Sequence, residues 1–157
     1  MHYTVRVTLV IAGVVGFGAV APAAARERAQ PNLMEVVVGS GPFSGTYKPP
    51  KTEVICMHAK QQKMYTAAFK DFAPKSAKAL SEAGINVTNP DVATAGKHAD
   101  IRIAFGDPAK KQTVYSAEGV PVTMKAVGNG AEIVFDGTTK EGVQLRVTAK
   151  CQDVEQM

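Results

Sequence analysis

The sequence of 157 residues contains no tryptophan, only three histidines and only two cysteines. Grooves that bind carbohydrate or peptide often depend on a tryptophan ring, so its absence disfavours such a groove. No Cys-x-x-Cys pair and no short-range repeat of other metal ligands occurs. The sequence therefore predicts no metal site and no cofactor.

Sequence patterns typical of catalytic centres are also missing. No nucleophile-elbow motif is present, and the carboxylates are scattered singly rather than in pairs. The glycine-rich stretch Gly39–Gly45 runs into Pro49-Pro50 and not into a helix, which argues against a phosphate-binding loop. We expect no enzyme. The alternative is a small hydrolase that uses His98 with the nearby Asp100.

The positive charge of the chain is dispersed. The formal net charge is +4, and Lys110-Lys111 is the one adjacent pair of basic residues. Nucleic-acid-binding surfaces gather their basic residues into a patch or along a helix, so nucleic acid is not a predicted partner. The lysines are interpreted as a solvated surface.

The first 25 residues resemble a secretory signal peptide. Val7 to Val20 is almost wholly apolar, and Ala23 to Ala25 supply the small residues that signal peptidase needs, so we expect cleavage near Ala25. The apolar run is shorter than the roughly 20 residues of a spanning helix, so no integral membrane segment is expected after processing. No cysteine follows the cleavage point that could take a lipid anchor. The predicted location is secreted or periplasmic.

Three consecutive strands are predicted between Val120 and Cys151. Val143, Leu145 and Val147 alternate with polar residues up to Cys151, which is typical of a strand with one buried face. Ile133 and its neighbours repeat this pattern one strand earlier. Glycine-rich turns separate the segments, so the stretch is predicted to be an antiparallel meander.

The two cysteines are expected to form one disulfide, Cys56–Cys151. An exported protein meets an oxidising compartment, where pairing is the default. Cys56 lies in the predicted strand Thr52 to His58, and Cys151 ends the last predicted strand. The bond should therefore hold an early strand against the final one, either in one sheet or across two.

The complete pattern predicts a mainly β fold, an antiparallel β-sandwich or flattened barrel. Its single short helix is expected at Pro74 to Ala83, with Gly84 just past the helix end. The domain is predicted to span residues 33–151, between a flexible lead-in over 26–32 and a short polar tail over 152–157. Strands that do not alternate with helices argue against an α/β fold.

The chain resembles the LpqH-type small secreted β domains, the mycobacterial lipoprotein antigens and their bacterial relatives. The resemblance is carried by Gly45-Thr46-Tyr47 after a glycine-rich start, by Cys56 in an early strand and by the closing run Gly142 to Cys151. It implies a disulfide-bonded, β-rich envelope protein without known catalysis. This chain departs from the family in lacking the lipidation cysteine.

The expected function is that of an exported, non-catalytic β domain of the cell envelope or secretome, with a binding or structural role. Its partner would be an unidentified protein or envelope ligand. The candidate binding residues are Phe43, Tyr47, His98 and Asp100. An alternative is a secreted inhibitor that inserts a loop, Gly39–Gly45 or Asn86–Lys97, into the active site of a hydrolase.

Overall fold

A computed structural model describes residues 31–90 and 97–157 of the chain. This part folds into ten β-strands, with one 3₁₀ turn at Lys51–Glu53. No helix within the described residues has the length and apolar character needed to cross a membrane. The strands are β1 (Leu33–Val38), β2 (Gly45–Tyr47), β3 (Val54–Ala59), β4 (Met64–Lys70), β5 (Leu80–Thr88), β6 (Lys97–Phe105), β7 (Thr113–Val127), β8 (Gly130–Thr138), β9 (Gln144–Cys151) and β10 (Glu155–Gln156).

All ten strands belong to one curled sheet, a half-barrel with the order β10-β3-β4-β5-β6-β7-β8-β9-β1-β2. Neighbouring strands are antiparallel, except that β10 pairs with β3 in parallel. From β3 to β9 the strand order follows the chain, so most pairings join consecutive strands. β1 then adds to the far side of β9, with Val36 opposite Val147.

β7 is the strand at which the sheet turns. Its first part pairs with β6, while its last five residues, Thr123–Val127, pair with β8. Between Ala99 and Ile101 the β6–β7 register shifts, and Gly119 adopts a left-handed φ of 61° in the extra residues of β7. Such a β-bulge bends the strand that contains it. Glu118 and Gly119 thus form a bulge inside the strand.

The inner face of the curl forms the hydrophobic core. Alternate residues of each long strand point inward, and Ile85, Ile103, Ile133 and Val147 are fully buried. Burying one such side chain contributes about 1.5–3 kcal/mol. Side chains therefore fill the concave side of the sheet.

The Cys56–Cys151 disulfide closes the curl. Five strands lie between β3 and β9 in the sheet order, yet the Cα atoms of the two cysteines are 5.8 Å apart. Both cysteines are fully buried. The bond therefore joins parts of the sheet that no strand pairing connects, and the predicted disulfide is confirmed.

Asn32 joins the same two sides of the sheet with hydrogen bonds. We call this junction between β3 and β9 the seam. Its Nδ2 donates to the carbonyl oxygens of Val54 at 3.2 Å and Asp153 at 2.8 Å. Its Oδ1 accepts from the backbone N–H groups of Gln152 at 2.8 Å and Asp153 at 2.9 Å. Asn32 thus ties the entry to β1, the start of β3 and the end of β9 together, and it is part of the folded domain.

The mainly β fold and the meander of β7, β8 and β9 are confirmed, but the helix predicted at Pro74 to Ala83 is wrong. The chain makes turns up to Ala79 and then enters β5. Ala83, Ile85 and Val87 alternate with exposed or half-buried residues, a period of two that the helix prediction overlooked. Gly84 lies inside β5, opposite Ala68 and Arg102, and does not end a helix.

The loop predicted over Asn86–Lys97 is shorter than expected. β5 continues to Thr88, and β6 begins at Lys97. Residues 91–96 lie outside the described residues, as do the predicted signal peptide and the lead-in up to residue 30. The predicted polar tail, in contrast, contributes β10 to the sheet.

Replacing both cysteines by alanine should lower the free energy of unfolding by about 4–5 kcal/mol, since the disulfide closes a loop of 95 residues. Urea denaturation of the variant and the oxidised wild type measures the difference. Because both sulfurs are buried, a mild reductant should leave the native disulfide intact and reduce it only after urea is added. Ready reduction of the folded protein would contradict this account.

Candidate functional site

Phe43 and Tyr47, two of the predicted binding residues, belong to an aromatic cluster at one end of the half-barrel. We call Phe43, Tyr47, Phe105 and Tyr115 the aromatic plug. The Phe43 ring stacks on Phe105 at a centroid distance of 4.7 Å and meets Tyr115 edge-on at 6.2 Å. Tyr47 packs on Phe105 at 4.9 Å. Both rings thus help to close this end of the core.

The conformation of the loop before β2 directs the Phe43 side chain towards the core. Gly41 and Gly45 have φ values of 85° and 147°, which side chains rarely allow. The Tyr47 hydroxyl donates a hydrogen bond to the Phe43 carbonyl oxygen at 2.8 Å. Burial raises the pKa of Tyr47, and Tyr115 adds to this effect. An inhibitory loop at Gly39–Gly45 would have to present a side chain outward, whereas Phe43 points into the protein.

His98 and Asp100 lie on the outer face of β6. Both side chains are exposed. Asp100 Oδ1 accepts a hydrogen bond from the Gly119 N–H at 2.8 Å, so this carboxylate anchors the bulge in β7. Asp100 thus has a structural role in the sheet, which is separate from any chemical role.

The four predicted binding residues do not form one site. Phe43 and Tyr47 contact Phe105, which ends β6 and points inward. His98 is near the start of the same strand and points outward, roughly 23 Å away at 3.3 Å per residue. The two aromatic residues and the His98–Asp100 pair therefore lie on opposite faces of the sheet and far apart along it.

The outer wall of the sheet has a groove of about 500 Å³ that sequence reasoning did not identify. Outward side chains of β1, β8 and β9 form its floor, and the segment after β2 forms its rim. We call this feature the wall groove. It is lined by Leu33, Met34, Glu35, Lys48, Pro49, Lys51, Glu132, Val134, Arg146, Thr148 and Lys150.

Basic side chains predominate in the wall groove. Four lysine and arginine side chains line it against two carboxylates. Lys48 pairs with Glu35 at 2.8 Å, and Lys150 pairs with Glu132 at 3.5 Å. Exposed ion pairs of this kind contribute only about 0–1 kcal/mol, so an incoming anion can compete for these cations.

The remaining two cations differ in their partners. Arg146 lies 3.5 Å from Asp136, and their side chains are 58% and 63% exposed. Lys51 forms no ion pair within the described part of the chain. The groove thus combines apolar contacts at Leu33 and Val134 with cations on both its floor and its rim, an arrangement suited to anions that also have apolar parts.

A second depression, the seam cleft, lies between β2 and the segment that joins β4 to β5. Its volume is about 580 Å³, and Tyr47, Phe69 and Leu80 are among its lining residues. Two lysines and two carboxylates line it, namely Lys48, Lys75, Glu53 and Asp71. Because these charges balance, the cleft has no preference for an ion of either sign.

A smaller end cavity of about 200 Å³ opens opposite the aromatic plug. Its lining includes His58, Tyr65, Lys97 and Asn129. Burial raises the pKa of Tyr65 to about 12, against a smaller lowering effect of the Ala131 backbone. Neither His98 nor Asp100 lines this cavity, the seam cleft or the wall groove.

No protein-family model matches the sequence, and neither a curated protein nor a solved structure is significantly similar to it. The resemblance to LpqH-type domains therefore stays a prediction. Over residues 31–90 and 97–157, no group of three or more histidine, cysteine, aspartate or glutamate side chains is placed to hold a metal ion.

The wall groove was missed because its residues come from three separate strands and a connection. Arg146, Thr148 and Lys150 are among the polar residues that alternate with the apolar ones along the last predicted strand. Their basic character was the available signal, since Arg146 and Lys150 alternate on one face. Only the folded sheet brings Lys48 and Lys51 beside these two residues, so that the four cations line one groove.

Replacing Phe43 by alanine should lower the free energy of unfolding by about 2–4 kcal/mol, because it empties space beside Phe105 and Tyr115. Tyr47→Phe should cost about 1 kcal/mol, through loss of its hydrogen bond to the Phe43 carbonyl. Urea denaturation measures both. Unchanged stability in Phe43→Ala would instead favour the original interpretation of Phe43 as a binding residue.

Stability should fall at alkaline pH because of Tyr65. Its folded pKa of about 12 lies above its ordinary value of 10.0, so the unfolded chain loses this proton first. The contribution is complete below pH 10.0 and is lost as the pH rises towards the folded value. Denaturant melts between these limits should show a steeper decline in the wild type than in Tyr65→Phe. Identical slopes would contradict the burial of this hydroxyl.

Proposed function

We propose that this chain is an exported, non-catalytic β domain of the cell envelope or secretome that binds an anionic ligand in the wall groove. The observation that carries the proposal is the excess of cations in this groove, on a sheet whose inner face is already filled by its own side chains. A packed interior leaves the outer wall as the surface for a ligand.

Export is supported by the disulfide and by the apolar start of the chain. A buried bond between the only two cysteines is typical of proteins that fold in an oxidising compartment. The LpqH-type resemblance agrees with the same location, and a β-rich domain with one disulfide is what it implies. We propose secretion or a periplasmic location after cleavage near Ala25.

The ligand is best described as a flexible polymer that bears phosphate or carboxylate groups. Several separated cations, Lys48, Lys51, Arg146 and Lys150, can contact successive anionic groups along such a chain. Leu33 and Val134 supply apolar contacts between them. The groove crosses three strands of the outer wall, which suits an extended ligand better than a compact metabolite.

The hydrolase and inhibitor alternatives have less support. A hydrolase based on His98 and Asp100 would need a substrate cavity beside them, and none of the three depressions described above includes either residue. An inhibitor that used Gly39–Gly45 would need a projecting loop, whereas Phe43 in this loop packs inward as part of the aromatic plug. No observation favours the hydrolase or the inhibitor over the binding proposal.

The proposal is tested with polyphosphate and poly-glutamate as separate probes, measured by titration calorimetry. The double variant Lys51→Glu/Arg146→Glu should weaken binding by at least about ten-fold, since each lost contact between unit charges at 4 Å in water is worth about 1 kcal/mol. Binding to the wild type should also weaken as salt is added. The two probes distinguish a phosphate ligand from a carboxylate ligand.

The matched control is Lys110→Glu/Lys111→Glu, which makes the same change in net charge outside the groove. Both control residues are exposed. Equal losses in the two double variants would mean that net charge alone attracts the probes, and the groove proposal would fail. It would fail as well if the wild type bound neither probe.

A further inference from the structure

We propose that Asn129 is a site of spontaneous deamidation, and that the fold preserves this site by requiring glycine at residue 130. In this reaction the backbone nitrogen of Gly130 attacks the side-chain amide carbon of Asn129. A C–N bond forms, ammonia leaves, and the resulting succinimide ring is opened by water. The product is aspartate or isoaspartate, according to which ring carbonyl the water attacks. The proposal is independent of what the wall groove binds.

The four asparagines of the chain differ in their readiness for this reaction. Asn89 precedes a proline, whose nitrogen carries no hydrogen and cannot act as the nucleophile. Asn86 precedes Val87, whose branched side chain crowds the reacting atoms, and Asn86 also accepts a hydrogen bond from Thr66 at 2.9 Å. Asn32 is buried and held by four hydrogen bonds. Only Asn129 is both exposed and followed by glycine.

Asn129 sits at the tip of the β7–β8 hairpin. Val127 pairs with Gly130, so Gly128 and Asn129 form a two-residue loop. Gly128 has a φ of 58°, as the first central residue of a type II′ turn requires. All residues from Lys125 to Asn129 are exposed. Exposed hairpin ends open at a low free-energy cost, which lets the Gly130 nitrogen leave its strand pairing and reach the amide.

The fold itself requires the glycine that makes Asn129 reactive. A Cβ atom at residue 130 would overlap the carbonyl oxygen of Cys151 and come within 3.2 Å of Val154. Cys151 cannot move aside, because its side chain is bonded to Cys56 and its strand is held between β8 and β1. Any bulkier residue that would slow the reaction is therefore excluded at this position.

The two products should have different effects. Aspartate leaves the backbone unchanged and adds one negative charge to the end cavity, which Asn129 lines together with Lys97. Isoaspartate lengthens the backbone by one atom directly before Gly130, which disturbs the two-residue loop and the pairing of Val127 with Gly130. We therefore expect the folded protein to tolerate aspartate and to lose stability at the hairpin with isoaspartate.

The test is to incubate the oxidised, folded protein at mildly alkaline pH and to follow all four asparagines by peptide mapping with mass spectrometry. Asn129 should convert at least about ten-fold faster than Asn86, which corresponds to a barrier lower by about 1.4 kcal/mol. A reduced and alkylated sample in urea gives the rate of the same sequence without the fold. The acidic form that accumulates on ion exchange should be absent from Asn129→Gln.

The proposal is overturned if Asn129 in the folded protein converts no faster than Asn86, whether or not the unfolded sample reacts. It is also overturned if Asn129→Gln accumulates the same acidic form, because that form would then have another source. Asn129→Asp serves as a stability standard for the aspartate product, and its melting temperature should match that of the wild type.

Discussion

The structure depends on holding a long curled sheet closed although no pairing of strands joins its two sides. A sheet of ten strands that curls only into a half-barrel brings its two sides together without pairing them. The Cys56–Cys151 bond and the hydrogen bonds of Asn32 supply the missing connection from inside the seam. The short strand β10 covers part of the edge of β3, and the three-residue β2 ends the sheet on the other side, which limits the unpaired edge that could recruit another chain.

Closure decides where function can be located. Because the seam is drawn shut and the aromatic plug fills one end, the concave face is a packed core and not a ligand chamber. The convex wall remains, and there the strand order places outward residues of β1, β8 and β9 beside the lysines that follow β2. Gly130 faces Cys151 because β8 pairs with β9, and the disulfide holds Cys151 in place, so the fold requires a glycine after Asn129.

Sequence reasoning was accurate where the signal was local. The alternation through β7, β8 and β9 predicted three strands and their antiparallel order, and the export pattern made the pairing of Cys56 with Cys151 the natural expectation. It was wrong at β5, where Pro74 and Gly84 resembled helix boundaries and outweighed the alternation of Ala83, Ile85 and Val87. The sequence also named Phe43, Tyr47, His98 and Asp100 as candidate binding residues, and the sheet places them as two distant pairs on opposite faces.

What the sequence by itself determined is the class of structure: an antiparallel β domain with one disulfide, since period-two patterning, turn residues and the number of cysteines are all local or countable properties. Only the tertiary structure decided that the disulfide spans a curl, that Phe43 plugs the core, and that Lys48, Lys51, Arg146 and Lys150 share a groove. Such placements depend on how far the sheet curls and where β7 bends. Those quantities are set by packing between residues distant in the chain, which no short stretch of sequence encodes.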